Sequence, residues 1–263
     1  MDKKTVVISF AALFVVAALV SCYNESIIMK DTSDKTTTTI KRTTTKETKK
    51  EDENIMDGVT LNYQSSIRIE KNNKVIYFDP YKIENSNNDA DYIFITHSHY
   101  DHFSTNDIVK IKNDNTKFII TSDIKEKVQE LGVKEENILV VYPNNNYKIG
   151  SLSFDTVAAY NTNKSYHKKS YNWVGYNVDI DGTYYYTVGD SDVTEELGKV
   201  SCDVIFIPVG GTYTMTDVEA ADAVNNIKPK IAVPVHYGEV GSKSNAEVFV
   251  SKLDKKIKGV ILK

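Results

Sequence analysis

The sequence has only two cysteines among its 263 residues, Cys22 and Cys202. Cys22 follows an N-terminal apolar run, and Cys202 precedes the apolar segment Val204-Ile205-Phe206-Ile207, where we expect a small buried residue. If Cys22 is modified, Cys202 has no partner, so the folded part must be stable without a disulfide. A composition of 41% hydrophobic and 26% charged residues supplies enough apolar material for a sizeable core.

An excess of basic charge is also missing. The formal net charge is −4, from 32 Lys and Arg against 36 Asp and Glu. The first 22 residues contribute +1 and residues 23–55 are balanced, which leaves about −5 on the rest of the chain. Because nucleic acid is bound through basic surfaces, no nucleic-acid partner is expected.

The apolar run near the N-terminus is too short for a membrane-spanning helix. Residues 6–20 are apolar except for Ser9, whereas a spanning helix needs about 20 such residues. The run follows Asp2-Lys3-Lys4 and precedes Ser21-Cys22. This order of a basic start, a short apolar run and small residues predicts a secretory signal.

The end of this run, Leu19-Val20-Ser21-Cys22, resembles the bacterial lipobox, in which the chain is cut before a cysteine that carries the lipid. The resemblance implies a lipoprotein signal peptide over residues 1–21 and a lipidated, palmitate-carrying Cys22. Acyl chains hold a protein on a membrane without spanning it. We therefore expect a lipid-anchored protein on the extracytoplasmic face of a bacterial cell membrane; an uncleaved anchor helix or ordinary cleavage nearby are the alternatives.

Residues 22–55 are polar and repetitive, with threonine runs at 36–39 and 43–45 interspersed with Lys and Glu. A segment with so little to bury is predicted to be a disordered tether. The folded domain is expected over residues 56–263.

Within that domain, strand-like and helix-like segments alternate, which predicts a layered α/β fold. Helices are predicted from an N-cap at Ser104 through Ile111, and over 122–131, 216–227 and 244–253. The predicted strands are 59–64, 65–70, 74–78, 92–96, 117–121, 138–142, 147–150, 152–160, 173–180, 183–188, 203–209, 230–235 and 259–262.

Three of the five histidines lie in one turn, Thr96-His97-Ser98-His99-Tyr100-Asp101-His102, directly after the apolar run Tyr92-Ile93-Phe94-Ile95. In an extended backbone, His97 and His99 point to the same side, and Asp101 and His102 turn towards the other. Imidazole and carboxylate without thiolate suit Zn²⁺, or Mn²⁺ or Fe²⁺. The turn is therefore predicted to bind metal.

His167, Asp190 and His236 each lie near the end of a strand-like segment, where a loop can direct them back to this turn. Together with the turn they give seven candidate ligands, more than one tetrahedral ion can use. One or two ions per chain are expected. Asp79 closes the third strand and is interpreted as a turn residue or as a rim residue that supports the site.

These motifs resemble the metallo-β-lactamase superfamily: His97-x-His99-x-Asp101-His102, an isolated histidine, Gly189-Asp190 after a strand and His236 after another. More narrowly, Gly210-Gly211-Thr212-Tyr213-Thr214-Met215 and Pro234-Val235-His236-Tyr237-Gly238 resemble small metal-dependent hydrolases related to ascorbate-phosphate lactonases. The resemblance covers essentially residues 58–263 and implies an αββα four-layer sandwich.

The resemblance also implies the ligand sets. His97, His99 and a third histidine hold one ion, Asp101, His102 and His236 hold the second, and Asp190 bridges them. In many relatives the third histidine directly follows the strand, where this chain has Ala159-Tyr160-Asn161. Either Asn161 takes that place or His167 folds back to fill it, and His167 is preferred because a lone loop histidine otherwise has no role.

The implied chemistry is hydrolysis without a covalent enzyme intermediate. Two divalent ions about 3.5 to 4 Å apart acidify a shared water and polarise the electrophile. Asp101 would orient the attacking group and Asp190 would fix the spacing, which makes both candidate catalytic residues. A lactone, a phosphodiester, or another small ester or amide suits this chemistry.

Two interpretations of the glycine-rich segment remain open. Its residues Gly211, Thr212 and Tyr213 can face an anionic substrate group, or the segment is a tight connection before a helix capped by Thr216 and Asp217. Tyr213 and Tyr237 are the preferred substrate-binding tyrosines. The wider set of aromatic residues that flank proposed ligands is Tyr100, Tyr160, Tyr166, Tyr171, Trp173, Tyr213 and Tyr237.

The rival hypothesis is a surface or substrate-binding lipoprotein that retains the fold with little or no turnover. The complete ligand set argues against it, because clustered polar side chains in a cleft cost stability when unpaired.

Overall fold

The computed structural model describes residues 55–238 and 245–263. The predicted signal peptide, Cys22 and the tether up to residue 54 lie outside the described residues, so their assignment stays a prediction. Ile55, predicted as the last tether residue, is buried in the core, and its carbonyl accepts a 2.6 Å hydrogen bond from the Tyr185 hydroxyl. Within the described residues, no helix is long and apolar enough to cross a membrane.

The first sheet has six strands in the described chain, and each pairs with the next in sequence order. The first three pair antiparallel, and the third to sixth pair parallel. The strands are β1 Val59–Tyr63, β2 Ser66–Lys71, β3 Lys74–Phe78, β4 Tyr92–Phe94, β5 Lys117–Ile120 and β6 Ile138–Val140. The predicted opening meander is confirmed.

The second sheet has seven strands in the described residues, again paired in chain order. The first four pair antiparallel and the last four pair parallel. The strands are β7 Asn146–Ile149, β8 Leu152–Ala158, β9 Val174–Ile180, β10 Thr183–Thr187, β11 Val204–Pro208, β12 Ile231–Val235 and β13 Lys258–Gly259.

A helix layer covers each sheet. The helices are α1 Thr105–Ile111, α2 Lys125–Glu130, α3 Asp217–Ile227 and α4 Ala246–Ser251. Ile108 of α1 and Val128 of α2 pack with Ile93 of the first sheet. Val224 of α3 and Phe249 of α4 pack with the second sheet.

Alternate residues of a strand face opposite sides, and both sheets use this to build their layers. In β4, Phe94 lies in the core between the sheets, whereas Ile93 faces the α1 and α2 layer. In β11, Phe206 lies between the sheets, whereas Ile205 and Ile207 face the α3 and α4 layer. The order of layers is helix, sheet, sheet, helix, which confirms the predicted αββα sandwich.

Several element boundaries lie one or two residues from the prediction, and two elements differ further. The predicted helix over 122–131 begins as a 3₁₀ turn, Ser122–Ile124, because Ile124 leaves the helical conformation with φ −112° and ψ 2°. The predicted closing strand over 259–262 is the short edge strand β13, and among the strands of the described residues it pairs only with β12. One further backbone bond, from Val260 N–H to the Ala232 carbonyl at 2.9 Å, extends this pairing.

The strand directions bring several loops to one edge of the sandwich. β8, β10, β11 and β12 run in the same direction, so their carboxyl ends lie at the same edge of the second sheet. At the start of β9, Val174 N–H donates to the Thr96 carbonyl at 3.2 Å, and this bond joins the second sheet to the histidine turn that leaves β4. Loops from both sheets therefore converge there.

Candidate metal centre

The candidate ligands lie on four connections that leave the carboxyl ends of β4, β8, β10 and β12. The turn after β4 supplies four side chains, and the other three connections supply one each. These seven residues are His97, His99, Asp101, His102, His167, Asp190 and His236, and the structure brings all of them together in two groups.

The first donor group consists of His97, His99, His167 and Asp190, whose ligand atoms all lie within 4.8 Å of one another. His99 Nδ1 lies 3.1 Å from His97 Nε2 and 3.2 Å from His167 Nε2. Asp190 Oδ2 lies 3.3 Å from His167 Nε2 and 3.9 Å from His97 Nε2. Three imidazole nitrogens and one carboxylate oxygen therefore face one point.

The second donor group consists of Asp101, His102 and His236. Asp101 Oδ2 lies 3.7 Å from His102 Nε2 and 3.4 Å from His236 Nε2. Asp190 also reaches this group, with Oδ1 3.3 Å from His102 Nε2 and Oδ2 3.2 Å from His236 Nε2. Asp190 is thus placed between the two groups.

These residues fit a divalent metal ion. Tetrahedral ligands about 2.0–2.1 Å from zinc lie about 3.3–3.4 Å from one another, and the observed separations of 3.1 to 3.9 Å bracket that value. His102 Nε2, His236 Nε2 and Asp190 Oδ1 are buried without a hydrogen-bond partner. Buried polar atoms are normally satisfied, so these three atoms point to a cation as the missing partner.

Asp79, fully buried at the end of β3, holds the histidine turn. Its Oδ1 accepts the Thr96 backbone N–H at 2.8 Å, and its Oδ2 accepts Thr96 Oγ1 at 2.7 Å and His102 Nδ1 at 2.8 Å. Because the Thr96 hydroxyl donates to Asp79, it accepts from His97 Nδ1, 2.9 Å away. One carboxylate therefore directs the Nδ1 proton of one ligand in each donor group, so that Nε2 is the atom available to a metal when the imidazole is neutral.

Three residues of the centre have left-handed backbone conformations. The φ angles are +47° at Asp79, +43° at His167 and +56° at His236. Such conformations cost on the order of 1–3 kcal/mol each and persist where surrounding contacts over-determine them. At His236 the backbone N–H donates to the Gln64 carbonyl at 3.1 Å, and a Cβ on Gly210 would lie 2.7 Å from the His236 carbonyl oxygen. Glycine is required at position 210 for this close approach.

Burial and charge shift the pKa values of the two groups in opposite directions. Burial, with the nearby charge of His102, holds the pKa of His97 well below its usual range, and burial also lowers the pKa of His99. Burial opposes protonation of His102 and His236 too. Asp190 and Asp79 nevertheless raise the pKa of His102 well above its usual range, and Asp190 and Asp101 raise that of His236 to about 9.

The two carboxylates are held ionised in return. Burial would raise the pKa of Asp190, but the charges of His236 and His102 hold it well below its usual range. Burial likewise opposes ionisation of Asp101, and the approach of His236 Nε2 to within 3.4 Å of its Oδ2 lowers its pKa. Without a metal, the second donor group is therefore a network of carboxylates and protonated imidazoles.

The loop after β8 places His167, rather than Asn161, in the first donor group. Asn161 supports the loop instead: its side-chain Nδ2 donates to the Tyr213 carbonyl at 2.8 Å, and its backbone N–H donates to the His167 carbonyl at 2.8 Å. The same loop is tied to the strand connection that carries Asp190, because Lys164 forms an ion pair with buried Asp192.

Trp173 closes one side of the first donor group. Its ring centroid lies 4.7 Å from that of His97 and 4.9 Å from that of His99. Its Nε1 donates to Asp123 Oδ2 at 2.9 Å, which fixes the plane of the indole.

The candidate substrate-binding residues Gly211, Thr212, Tyr213 and Tyr237 do not share one environment. Gly211 N–H donates to the Met215 carbonyl at 2.9 Å, and the N-terminus of α3 is closed by a capping box between Thr216 and Glu219. Both features favour the interpretation of the segment Gly210-Gly211-Thr212-Tyr213 as a tight, capped connection. Tyr213 is 39% exposed, whereas Tyr237 packs against the core beneath α3 and α4.

Two residues that support the site, Asp79 and Asp192, were not among the ligands predicted from the sequence. Asp79 was interpreted as either a turn residue or a rim residue that supports the site. It is a fully buried residue with a left-handed backbone, and it supports the site through its bonds to Thr96 and His102. The available signal was its position at the carboxyl end of β3, next to β4 in a parallel pair. Asp192 gave no sequence signal, because its partner Lys164 is 28 residues away.

Comparisons with known proteins agree with this geometry. A model of the beta-lactamase superfamily domain matches residues 59–236. A UPF0173 metal-dependent hydrolase of Staphylococcus aureus (strain bovine RF122 / ET3-1) is 30% identical over 193 residues, which cover 66% of this chain and 82% of that protein.

Solved structures show the same fold. A metal-dependent hydrolase from Parabacteroides distasonis ATCC 8503 superposes with a TM-score of 0.65 at 28% identity, covering 78% of this chain and 93% of the other. The metallo hydrolase Igni18 from Ignicoccus hospitalis KIN4/I also gives a TM-score of 0.65, at 20% identity, covering 78% and 94%.

The four-layer sandwich with a His and Asp cluster at one edge defines the class as metal-dependent hydrolases of the metallo-β-lactamase fold. The chain belongs to the β-lactamase superfamily.

Replacing Asp79 by Asn should weaken the second donor group. An amide has one acceptor oxygen, so it cannot accept from Thr96 N–H, Thr96 Oγ1 and His102 Nδ1 together. We expect the affinity for the second ion to fall by about 10–100-fold and the free energy of unfolding to fall by about 1–3 kcal/mol. Competition with a fluorescent chelator and denaturant unfolding measure the two effects.

The matched control is Asp114→Asn, the same chemical change at an exposed loop position. It should leave both quantities unchanged. An Asp79→Asn protein with wild-type affinity for both ions would contradict the proposed role of Asp79.

The two donor groups should differ in proton release on metal binding. At pH 7 and without metal, His102 and His236 are protonated because their pKa values are raised, whereas His97 and His99 are neutral because theirs are lowered. Only the neutral imidazole binds metal. Affinity for the second ion should therefore rise with pH through about 9, the pKa of His236, while affinity for the first ion depends less on pH.

Calorimetric titration in buffers of different ionisation enthalpy counts the protons released with each ion. Equal release by both ions would be inconsistent with these pKa directions.

Proposed function

We propose that this hydrolase cleaves a small ester-like substrate, of the lactone or phosphodiester class, with one or two Zn²⁺ ions held by His97, His99, His167, Asp190, Asp101, His102 and His236. The observation that carries the proposal is the pair of donor groups that share Asp190, with three buried ligand atoms left unsatisfied. Donor sets of imidazole and carboxylate also accept Mn²⁺ or Fe²⁺.

A divalent ion at this position lowers the pKa of a water molecule towards neutrality and polarises a carbonyl or phosphoryl oxygen. The side chains divide the remaining work. Asp190, 4% exposed and in contact with both groups, sets their spacing. Asp101, whose side chain is 19% exposed, faces the opening and can orient the attacking water and accept its proton at a carboxylate oxygen.

The resemblance of the turn and of the two flanking motifs to lactonases supports a lactone among the candidate substrates. Similarity to the metal-dependent hydrolases of Staphylococcus aureus and Parabacteroides distasonis supports hydrolysis as the reaction class. It does not indicate a substrate.

Metal content and turnover of the full chain test the proposal together. After chelation and reconstitution with zinc, we expect at least one bound ion per chain and hydrolysis of generic lactone or phosphodiester substrates that chelation abolishes. Fewer than one ion per chain, with no turnover, would overturn it. A full metal complement without turnover of any ester would favour a binding protein that retains the fold.

His167→Ala and Asn161→Ala form a matched pair for this test. Because His167 lies in the first donor group, its replacement should remove one ion and most of the activity. Asn161→Ala should retain the ions, since the backbone bond to His167 survives the change. Equal metal loss from both variants would count against His167 as the third histidine ligand.

We also propose that lipid on Cys22 anchors the protein to the extracytoplasmic face of a bacterial membrane. The support is the order of residues 1–22: a basic start, a short apolar run and a lipobox. Cys22→Ala should move the protein from the membrane to the soluble fraction, as measured by fractionation and by labelling with a palmitate analogue. Persistent membrane association of the variant would favour an uncleaved helix.

A further inference from the structure

Four exposed tyrosines lie on the loops that carry the candidate ligands or on the adjoining glycine-rich segment. We call them the tyrosine rim: Tyr100 is 74% exposed, Tyr166 48%, Tyr171 45% and Tyr213 39%. Tyrosine rings carry a large apolar face, so exposing four of them around one site leaves a surface that favours binding.

Each rim residue lies beside a candidate ligand in the chain or is linked to one through ring contacts. Tyr100 lies between His99 and Asp101 in the histidine turn. Tyr166 directly precedes His167, and its ring packs edge-to-face on Tyr213, with centroids 4.8 Å apart. The rim residues are therefore placed by the same loops that place the ligands.

The other side of the rim is continuous with the wall of the first donor group. Tyr171 packs on Trp173 with ring centroids 4.8 Å apart, and Trp173 in turn contacts the rings of His97 and His99. His99, whose ring Trp173 contacts, is itself exposed, so the first donor group is accessible to solvent.

Nearby features that suit a phosphate or other anion are used within the protein. The N-terminus of α3 is capped by its own Glu219, and Gly211 N–H donates to the Met215 carbonyl. Of the three lysines on the loop of His167, Lys164 pairs with Asp192 and Lys169 pairs with Glu196 at 2.8 Å, whereas Lys168 is exposed. Binding an anionic group through the α3 N-terminus, Gly211, Lys164 or Lys169 would break an existing bond.

We propose that the substrate is an uncharged carboxylic ester, cyclic or open-chain, that carries an alkyl or aromatic group bound on the tyrosine rim. This rests on the proposed hydrolase function and narrows it. In the reaction, the oxygen of water bonds to the carbonyl carbon, the bond from that carbon to the alkoxy oxygen breaks, and the alkoxy group takes up a proton. The products are a carboxylic acid and an alcohol, joined in one molecule when the ester is a lactone.

The apolar faces of the tyrosine rings explain why a substrate with an alkyl or aromatic group is preferred. A tyrosine has two side-chain torsions, so it contributes apolar contact at a small cost in conformational entropy. An alkyl or aromatic group that covers several rim residues removes their exposed faces from water, whereas the charged group of a phosphodiester gains nothing from apolar ring faces.

The test compares substrates that share one leaving group: nitrophenyl acetate, nitrophenyl hexanoate and bis(nitrophenyl) phosphate. With the metal-loaded full chain, kcat/KM should be about tenfold or more higher for the hexanoate than for the acetate, in line with the discrimination that added methylenes give in apolar sites. The gain should lie mainly in KM, because the reacting bond is the same. The diester should show the smaller rate enhancement over its uncatalysed hydrolysis.

Tyr213→Ala and Tyr100→Ala should each reduce the ratio of kcat/KM for the hexanoate to kcat/KM for the acetate, and Tyr213→Phe should retain that ratio because the ring face is kept. Tyr184→Ala is the matched control: Tyr184 is 40% exposed but lies near the start of β10, at the opposite end from Asp190. It should behave as wild type.

Binding without turnover gives an independent readout. A non-hydrolysable hexyl ketone should change the fluorescence of Trp173, the single tryptophan of the chain, in the metal-free protein, and Tyr171→Ala should weaken this binding. No dependence on chain length together with no ketone binding would overturn the inference. A larger rate enhancement for the diester would also overturn it while leaving the hydrolase function intact, whereas no turnover of any substrate would remove the proposed function itself.

Discussion

The centre depends on the burial of one carboxylate among imidazoles. Asp190 is 4% exposed, and its oxygens lie 3.2 to 3.9 Å from His236, His102, His167 and His97. A buried charge is costly unless it is paired and hydrogen-bonded. Without a cation, His102 and His236 supply the pairing by holding protons, while buried His97 stays neutral. A bound ion replaces those protons, so the same side chains give a charge-balanced site in either state.

This arrangement needs both halves of the sandwich. The first sheet contributes the histidine turn after β4 and the buried Asp79 after β3, whereas the second sheet contributes His167, Asp190 and His236. The packed core between the sheets fixes their separation, and the bond from Val174 N–H to the Thr96 carbonyl joins them at the edge. Strained left-handed conformations at Asp79, His167 and His236 are the local cost of directing three side chains to one place.

Much of this could be predicted from residues close in sequence. The buried strands followed from short continuous apolar runs, as in β4 and β11, and the turn from His97 to His102 was recognisable because its ligands are adjacent. Predictions were less complete where a distant partner decides the outcome. Asp79 could not be assigned to its bonds with Thr96 and His102 from its local signal of a strand end. The glycine-rich segment kept two interpretations until Gly211 N–H and Glu219 were placed in hydrogen bonds.

The sequence by itself determined the layered α/β class, the histidine turn and the set of seven candidate ligands, because these follow from side-chain chemistry and short-range spacing. Only the tertiary structure decided that His167 rather than Asn161 joins the first donor group, that Asp190 contacts both groups, and that four tyrosines remain exposed around them. The physical reason is that a donor set and a binding surface depend on distances of a few ångströms between loops far apart in the chain. Those distances are set by the packing of two sheets and by buried hydrogen bonds, which no local sequence pattern encodes.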